Sequence, residues 1–242
     1  MPDTLLAFDT STECMAVAVQ TPRGRFTEDA PGGAAASAAL LPTLQALLER
    51  AGAHWSDVAA VGFGRGPGAF TGLRTSCAVA QGLALGLGCP VVPVDSLSIV
   101  AEQARRHLGG RASVDLGVAM DARMGETYAG RYLWRQERGH EGHWQALQSP
   151  GLWAPEALDE AWAESPPQWC TGSALDLSAD ALLRACPPPR RVRAGHERAA
   201  ALIALVDRAW REGAGIDAAQ ALPLYLRDKV ALTTAERAAA AR

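Results

Sequence analysis

The stretch Gly64-Arg65-Gly66-Pro67-Gly68-Ala69-Phe70-Thr71-Gly72-Leu73-Arg74 constrains the fold more than any other part of the chain. It joins a short apolar run, Val58 to Phe63, to a long small-residue helix expected over about Thr75 to Leu87. A glycine-rich turn between a strand and a helix lets the backbone approach a second object, with amides and a helix N-terminus facing it. That object is a phosphate in many folds and a protein backbone in others. Spacing alone leaves both open. The GK[ST] ending of a P-loop is absent, and no second βαβ unit with a suitably spaced acidic residue completes a dinucleotide fingerprint. Arg65 and Arg74 bracket the loop and could face an anion, with Gly66, Gly68 and Thr71 between them. The alternative is a structural turn with solvated arginines.

Around this loop the first half reads β-β-β-α-β-α-β-α, which predicts a mixed sheet with helices packed on it. Thr4 to Asp9, Cys14 to Gln20 and Arg23 to Asp29 are the expected meander. Ala34 to Arg50 carries leucines at helical spacing, has Pro42 near its start and meets Gly52 as its stop. Val91 to Val94 is a further strand, and Ser96 is the expected cap of a helix running to about Leu108. Gly109-Gly110 marks a junction, so residues 1–108 and 109–242 are expected as two related subdomains. In the second, Asp115 to Asp121, Thr127 to Trp134 and His143 to Gln148 read as strands, and Gln168 to Thr171 as a short one. Helices are expected over Glu156 to Ala163, Leu175 to Ala185 and Glu197 to Arg211. Leu222 to Arg227 is an extended tail, and the alanine-rich end, Glu236 to Arg242, is expected to fray.

Composition narrows the function. Nearly half of the 242 residues are apolar, enough for a sizeable core, and the net charge of −3 with no basic run argues against autonomous binding of any nucleic acid, DNA or RNA. Five scattered cysteines without a CxxC pair read as buried free thiols. No signal peptide is apparent, and the longest apolar stretch, Cys77 to Val92, is too short and too broken to span a bilayer, so a soluble cytoplasmic protein with no membrane partner is expected. Asp9-Thr10-Ser11, at the end of an apolar strand, could hold Mg²⁺ through water and donate to a phosphate, or could be ordinary turn chemistry. Asp121-Ala122-Arg123 with Glu126 and Tyr128 could be a carboxylate pair with an anion clamp, or a hairpin salt bridge. His140-Glu141-Gly142-His143 lacks the helical spacing of a zinc motif, and no serine, histidine and acid set is recognisable. No metal site and no catalytic residue is therefore expected. Ala78, Gly82 and Gly86, at i, i+4 and i+8, leave one helix face almost without side chains. Glycine costs about 0.8–1 kcal/mol per helix-interior site relative to alanine, so the face calls for a reason: close packing inside the monomer, or a helix of a partner.

Taken in order, Leu6-Ala7-Phe8-Asp9-Thr10-Ser11, the Gly64 to Arg74 stretch, Val94-Asp95-Ser96-Leu97, Met120-Asp121-Ala122-Arg123 with Glu126 and Tyr128, and Pro223-Leu224-Tyr225-Leu226-Arg227 resemble the TsaB family of bacterial tRNA threonylcarbamoyladenosine biosynthesis proteins. The resemblance runs over nearly the whole chain. It implies an α/β, actin-like ATPase (ribonuclease H-like) fold of two related subdomains, each a mixed β-sheet flanked by helices, within the M22 glycopeptidase-like group. Catalytic relatives of the TsaD type carry paired metal-binding histidines on an N-terminal helix; Ala34 to Arg50 here has none, and Ala36-Ser37 stands where many TsaB-like chains have His-Ser. The resemblance thus implies a non-catalytic subunit that pairs with TsaD and is joined by TsaE. It implies no cofactor of the chain's own, with ATP or ADP at the complex interface. The expected partner surface is Leu40, Leu41 and Leu44 with Ala78, Gly82 and Gly86, and a homodimer through the same face is expected when TsaD is absent. The competing enzyme reading is an actin-like nucleotide hydrolase using Asp9, Thr10, Ser11, Gly66, Gly68, Thr71, Arg74 and Asp121 on the phosphates. A metallopeptidase, suggested only by the group label, is the third.

Overall fold

Four apolar residues, Leu5 to Phe8, form the middle of β1 (Thr4–Asp9), and all six of its residues are buried, as a strand with partners on both edges and layers on both faces requires. The computed structural model describes residues 3–109, 111–137, 139, 141–177 and 180–227. β1 pairs antiparallel with β2 (Cys14–Thr21), which pairs antiparallel with β3 (Gly24–Pro31). After α1 (Ala36–Ala51), β4 (Val58–Gly66) lies parallel to β1. α2 (Phe70–Leu87) then returns the chain to β5 (Val91–Asp95), parallel to β4, and α3 (Ser96–Leu108) leaves this sheet, whose order is β3-β2-β1-β4-β5. A second meander follows: β6 (Ser113–Arg123), β7 (Glu126–Arg135) and β8 (His143–Trp153). α4 (Pro155–Glu164) leads to β9 (Trp169–Thr171), parallel to β6, giving the order β8-β7-β6-β9. A single turn, α5 (Ala174–Leu177), and a long helix, α6 (Arg198–Arg211), complete the regular elements of the described residues. Both sheets follow one plan: a three-stranded meander whose first strand gains a parallel partner after a helix. This is the doubled, actin-like α/β arrangement that the resemblance implies.

Strand alternation sends Leu6 and Phe8 to one face of the first sheet and Leu5 and Ala7 to the other. α1 covers the former with Leu40, Leu44, Leu47 and Leu48, and α6 covers the latter with Leu202, Ile203 and Val206. The second sheet is covered on one face by Leu158 and Trp162 of α4 and on the other by Leu97, Val100 and Ala104 of α3. So α3 crosses from the first sheet to the second, and α6 crosses back.

Several elements differ from expectation, each for a local reason. α2 starts at Phe70 rather than Thr75, because Ala69 takes extended dihedrals and the residues after it are already helical. The cap of α3 is Asp95, whose carboxylate accepts the Leu97 N–H at 2.9 Å. Ser96 instead accepts the Gly66 N–H at 3.1 Å, tying the glycine-rich loop to α3. The helix expected over Leu175 to Ala185 ends at Leu177, and residues 180–185 form turns. The buried Asp159 carboxylate holds that segment, taking the Arg184 side chain at 2.7 Å and the Ala185 N–H at 2.8 Å. β8 continues past Gln148 and through Pro150 to Trp153, which an edge strand tolerates. Gly110, His140 and Glu236 to Arg242 lie outside the described residues.

Candidate functional site

The second object approached by the glycine-rich loop is the chain's own Asp9-Thr10-Ser11 turn. Ala69 N–H donates to the Ser11 carbonyl at 2.8 Å. A Cβ on Gly68 would lie 2.5 Å from that same oxygen, and one on Gly72 would overlap the Thr10 carbonyl, so both positions exclude any side chain. Thr10 is buried. Its hydroxyl donates to the Gly72 carbonyl at 2.7 Å and shares a 2.8 Å hydrogen bond with Ser76, whose hydroxyl also accepts the Thr10 N–H. The turn is thereby clamped to the first two turns of α2.

Asp9 is fully buried, and both its oxygens are taken. Oδ1 accepts the Ser11 N–H at 2.7 Å, and Oδ2 accepts from Arg198 at 2.6 Å. Arg198, at the start of α6, is itself 4% exposed and also reaches Gln103 on α3 at 3.4 Å. Both oxygens of this buried carboxylate are thus committed to groups of the chain itself. Arg74, expected to face an anion, instead lies over the Phe70 ring at 3.8 Å and donates to the Tyr225 hydroxyl at 3.1 Å. Gly66 turns the chain with φ of 108° and packs on Leu73, and Thr71 is exposed with its carbonyl accepting from Thr75.

Between the two sheets lies a cavity of about 540 Å³. Of the residues singled out for phosphate binding, Ser11, Gly68 and Asp121 line it. Asp9, Thr10, Gly66, Thr71 and Arg74 do not. On the second-sheet side is the β6–β7 turn, where Arg123 and Met124 take left-handed dihedrals, φ of 64° and 58°. Arg123 N–H donates to Asp121, and its guanidinium spans 3.5 Å to Asp121 and 3.3 Å to Glu13 in the β1–β2 turn of the first sheet. The hairpin salt bridge expected at Asp121 and Arg123 is present, extended by this inter-sheet contact. The tail closes the cavity: Leu224 N–H donates to the Arg65 carbonyl at 2.7 Å, and Arg227 pairs with Glu126 and donates to the Arg123 carbonyl at 3.2 Å.

A second surface lies on α2. Ala78, Gly82 and Gly86 are exposed, and a Cβ built on either glycine meets nothing within 4 Å. Packing among the described residues therefore does not explain these glycines. Leu85 of α2 is 81% exposed and Leu41 of α1 is 47% exposed. Leu40 and Leu44, expected on the partner face, are both fully buried against β2: they stand one position from, and three beyond, the exposed Leu41, on the helix face turned to the sheet.

Sequence reading gave no role to Arg198 and Tyr225, which line the cavity and hold Asp9 and Arg74, or to Asp95, next in sequence to the lining residues Ser96 and Leu97. Burial pushes the Asp95 carboxyl up to about 6, against hydrogen bonds from Tyr132 and the Leu97 N–H that pull it down. The same burial and the facing carboxylate raise the Tyr132 hydroxyl far above its ordinary range. Burial also raises the thiols of Cys77 and Cys89, which suits inert core positions.

Residues 32–159 match the model of the family described as TsaD, tRNA N6-adenosine threonylcarbamoyltransferase. The chain is 31% identical over 231 residues, 94% of its own length and 96% of the other's, to the tRNA threonylcarbamoyladenosine biosynthesis protein TsaB of Escherichia coli K12. A crystal structure from Pseudomonas aeruginosa, described as an uncharacterized protein with similarity to peptidase YEAZ, superimposes with a TM-score of 0.77 at 34% identity, covering 93% of this chain and all of that one. A structure described as YeaZ from the same organism does so with a TM-score of 0.73 over the same shares.

Proposed function

Because the chain belongs to the TsaB family, with a role in tRNA threonylcarbamoyladenosine biosynthesis, we propose that it acts there as a non-catalytic scaffold and activator, pairing with TsaD and then with TsaE. The assembly transfers a threonylcarbamoyl group to the adenosine next to the anticodon in tRNAs that read codons starting with A. The observation that carries the reading is the α2 face. Gly82 sits inside the helix at a cost of about 0.8–1 kcal/mol and Gly86 in its last turn, both with open space where their side chains would be. Nothing among the described residues requires them, whereas a partner helix crossing there could approach to backbone contact. Leu85 on α2 and Leu41 on α1 are exposed and would supply apolar area for the partner to cover. The same face supports a homodimer when TsaD is absent, since one self-complementary patch suffices for a two-fold pair. The reading places the chain in the cytoplasm, requires no cofactor of its own and leaves ATP or ADP to the interface with TsaD.

The competing nucleotide hydrolase draws support from the inter-sheet cavity. It is weakened by Asp9, whose carboxylate is committed to Arg198 and the Ser11 amide. The test is Gly82→Leu, measured by calorimetric titration against TsaD of the same organism. The expected result is a loss of affinity of at least tenfold with unchanged thermal unfolding of the isolated chain. Unchanged affinity would sink the reading, and so would ATP turnover by the isolated chain that disappears in Asp9→Ala.

A further inference from the structure

Among the 18 residues of α2 only Arg74 carries charge. It stands on the outer side of the helix: Thr71, Arg74, Ala78, Gly82 and Leu85 are exposed at intervals of three and four, so they share one face. Arg74 is the fifth helical residue, close to an N-terminus whose partial positive charge disfavours a cation. The helix itself therefore gives no reason for this arginine.

An exposed arginine ordinarily samples many rotamers. This one is fixed from two sides. Its guanidinium lies 3.8 Å over the ring of Phe70, one turn earlier on α2, and its Nε–H donates to the Tyr225 hydroxyl of the tail at 3.1 Å. The two rings pack on each other, with centroids 5.4 Å apart. Both partners are uncharged aromatic side chains, so they orient the cation without neutralising it. No carboxylate among the described residues pairs with Arg74, and its two η nitrogens have no hydrogen-bond partner there. Arg105, Arg123, Arg131 and Arg198, by contrast, each face a carboxylate. A planar fork held in place with its η edge free is preorganised for two parallel hydrogen bonds to a carboxylate.

We propose that Arg74 is the polar anchor of the α2 face, receiving a carboxylate carried by the partner helix that packs over Ala78 and Gly82. The inference rests on the pairing reading and names the group that TsaD must bring. Eight residues separate Arg74 from Gly82, so the carboxylate stands about 12 Å along α2 from the closest backbone approach. Tyr225 is the positioning residue: it fixes the guanidinium before binding and so removes part of the entropy cost of holding it in the complex.

The test is calorimetric titration of the full chain against TsaD of the same organism, at low and at high salt. Arg74→Gln keeps a polar side chain and removes the charge. It should weaken binding about ten- to hundredfold at low salt and flatten the salt dependence seen with the wild type, with thermal unfolding of the isolated chain little changed. Arg74→Glu should weaken binding further, because like charges then meet. Unchanged affinity in Arg74→Gln, an unaltered salt dependence, or Arg74→Glu binding no more weakly than Arg74→Gln would each overturn the proposal. The failures are distinguishable. If Gly82→Leu loses affinity and Arg74→Gln does not, the anchor alone falls; if the wild-type chain does not bind TsaD, the pairing reading falls and the anchor with it.

Discussion

A guanidinium and a carboxylate buried together, as Arg198 and Asp9 are, stand or fall as a pair. Losing one partner leaves the other charge in an apolar interior. Arg198→Met should therefore destabilise the fold by about 3–5 kcal/mol in urea unfolding, and the double variant with Asp9→Asn should lose clearly less than the two single losses combined. Additive losses would show that the pair is not the reason for burying either residue. Asp95 yields a prediction of the opposite electrostatic sense. Its folded pKa of about 6 stands above the ordinary value of 3.8, so the folded state holds that proton more tightly. The contribution is present in full below about pH 4 and is lost as pH rises through about 6, by about 2–3 kcal/mol. Asp95→Asn keeps an N-cap residue and removes the titration, so the difference between wild type and variant should slope across that window and be flat above it. Parallel curves would contradict the assignment. Asp9, Ser11 and Asp121 stand out in the sequence because acidic and hydroxyl residues after an apolar strand are visible there. Arg198 does not, because it lies 189 positions from Asp9 and only the return of α6 to the first sheet brings it there.

Among the elements, α2 carries the most information. One face closes on the Thr10 turn through Ser76 and Gly72, the tail carbonyl of Ala221 accepts from Gln81 at 3.0 Å, and the remaining face is bare. Gly86→Ala adds a methyl group where nothing lies within 4 Å, in a helical backbone alanine prefers. It should stabilise the isolated chain by about 0.5–1 kcal/mol in denaturant unfolding. A destabilisation would mean that the face is covered within the monomer after all. Most elements were legible from periodicity: the nine strands and the helices α1, α2, α3, α4 and α6 among the described residues fall within a few positions of expectation. The misses follow tertiary contacts that periodicity does not carry. Asp159 pulls residues 180–185 out of helix, and Gly66 claims the Ser96 hydroxyl that would otherwise have served as a cap. The stripe Ala78, Gly82 and Gly86 was legible as a face without side chains. Assigning Leu40 and Leu44 to it was not sound, since a helix packed on a sheet buries its most regular leucines.

At the scale of the molecule, the links that bridge the two sheets include α3, α6, whose Arg208 lies over the Trp134 ring, the Arg123–Glu13 pair, and the tail with its Arg227 contacts to the β6–β7 turn. The tail link is the one that closes a wall of the cavity. Arg227→Ala should cost about 1 kcal/mol of overall stability, because its partner Glu126 is partly solvated. It should also speed amide hydrogen exchange at residues 123–126 while leaving α6 unchanged. Uniform acceleration throughout would mean the tail holds the whole fold rather than one wall of the cavity. The doubling of the plan was readable as two β-rich starts followed by helices. The crossing of α6 back to the first sheet was not, because nothing local in its sequence says which sheet its leucines meet.

The central claim is that the bare face of α2 receives TsaD. Amide hydrogen exchange of this chain, free and saturated with TsaD of the same organism, tests it most directly. Protection confined to residues 70–87 and the exposed side of α1, with the β6–β7 turn and the second sheet unchanged, is the predicted result. Protection centred on the second sheet, with α2 exchanging as in the free chain, would contradict it.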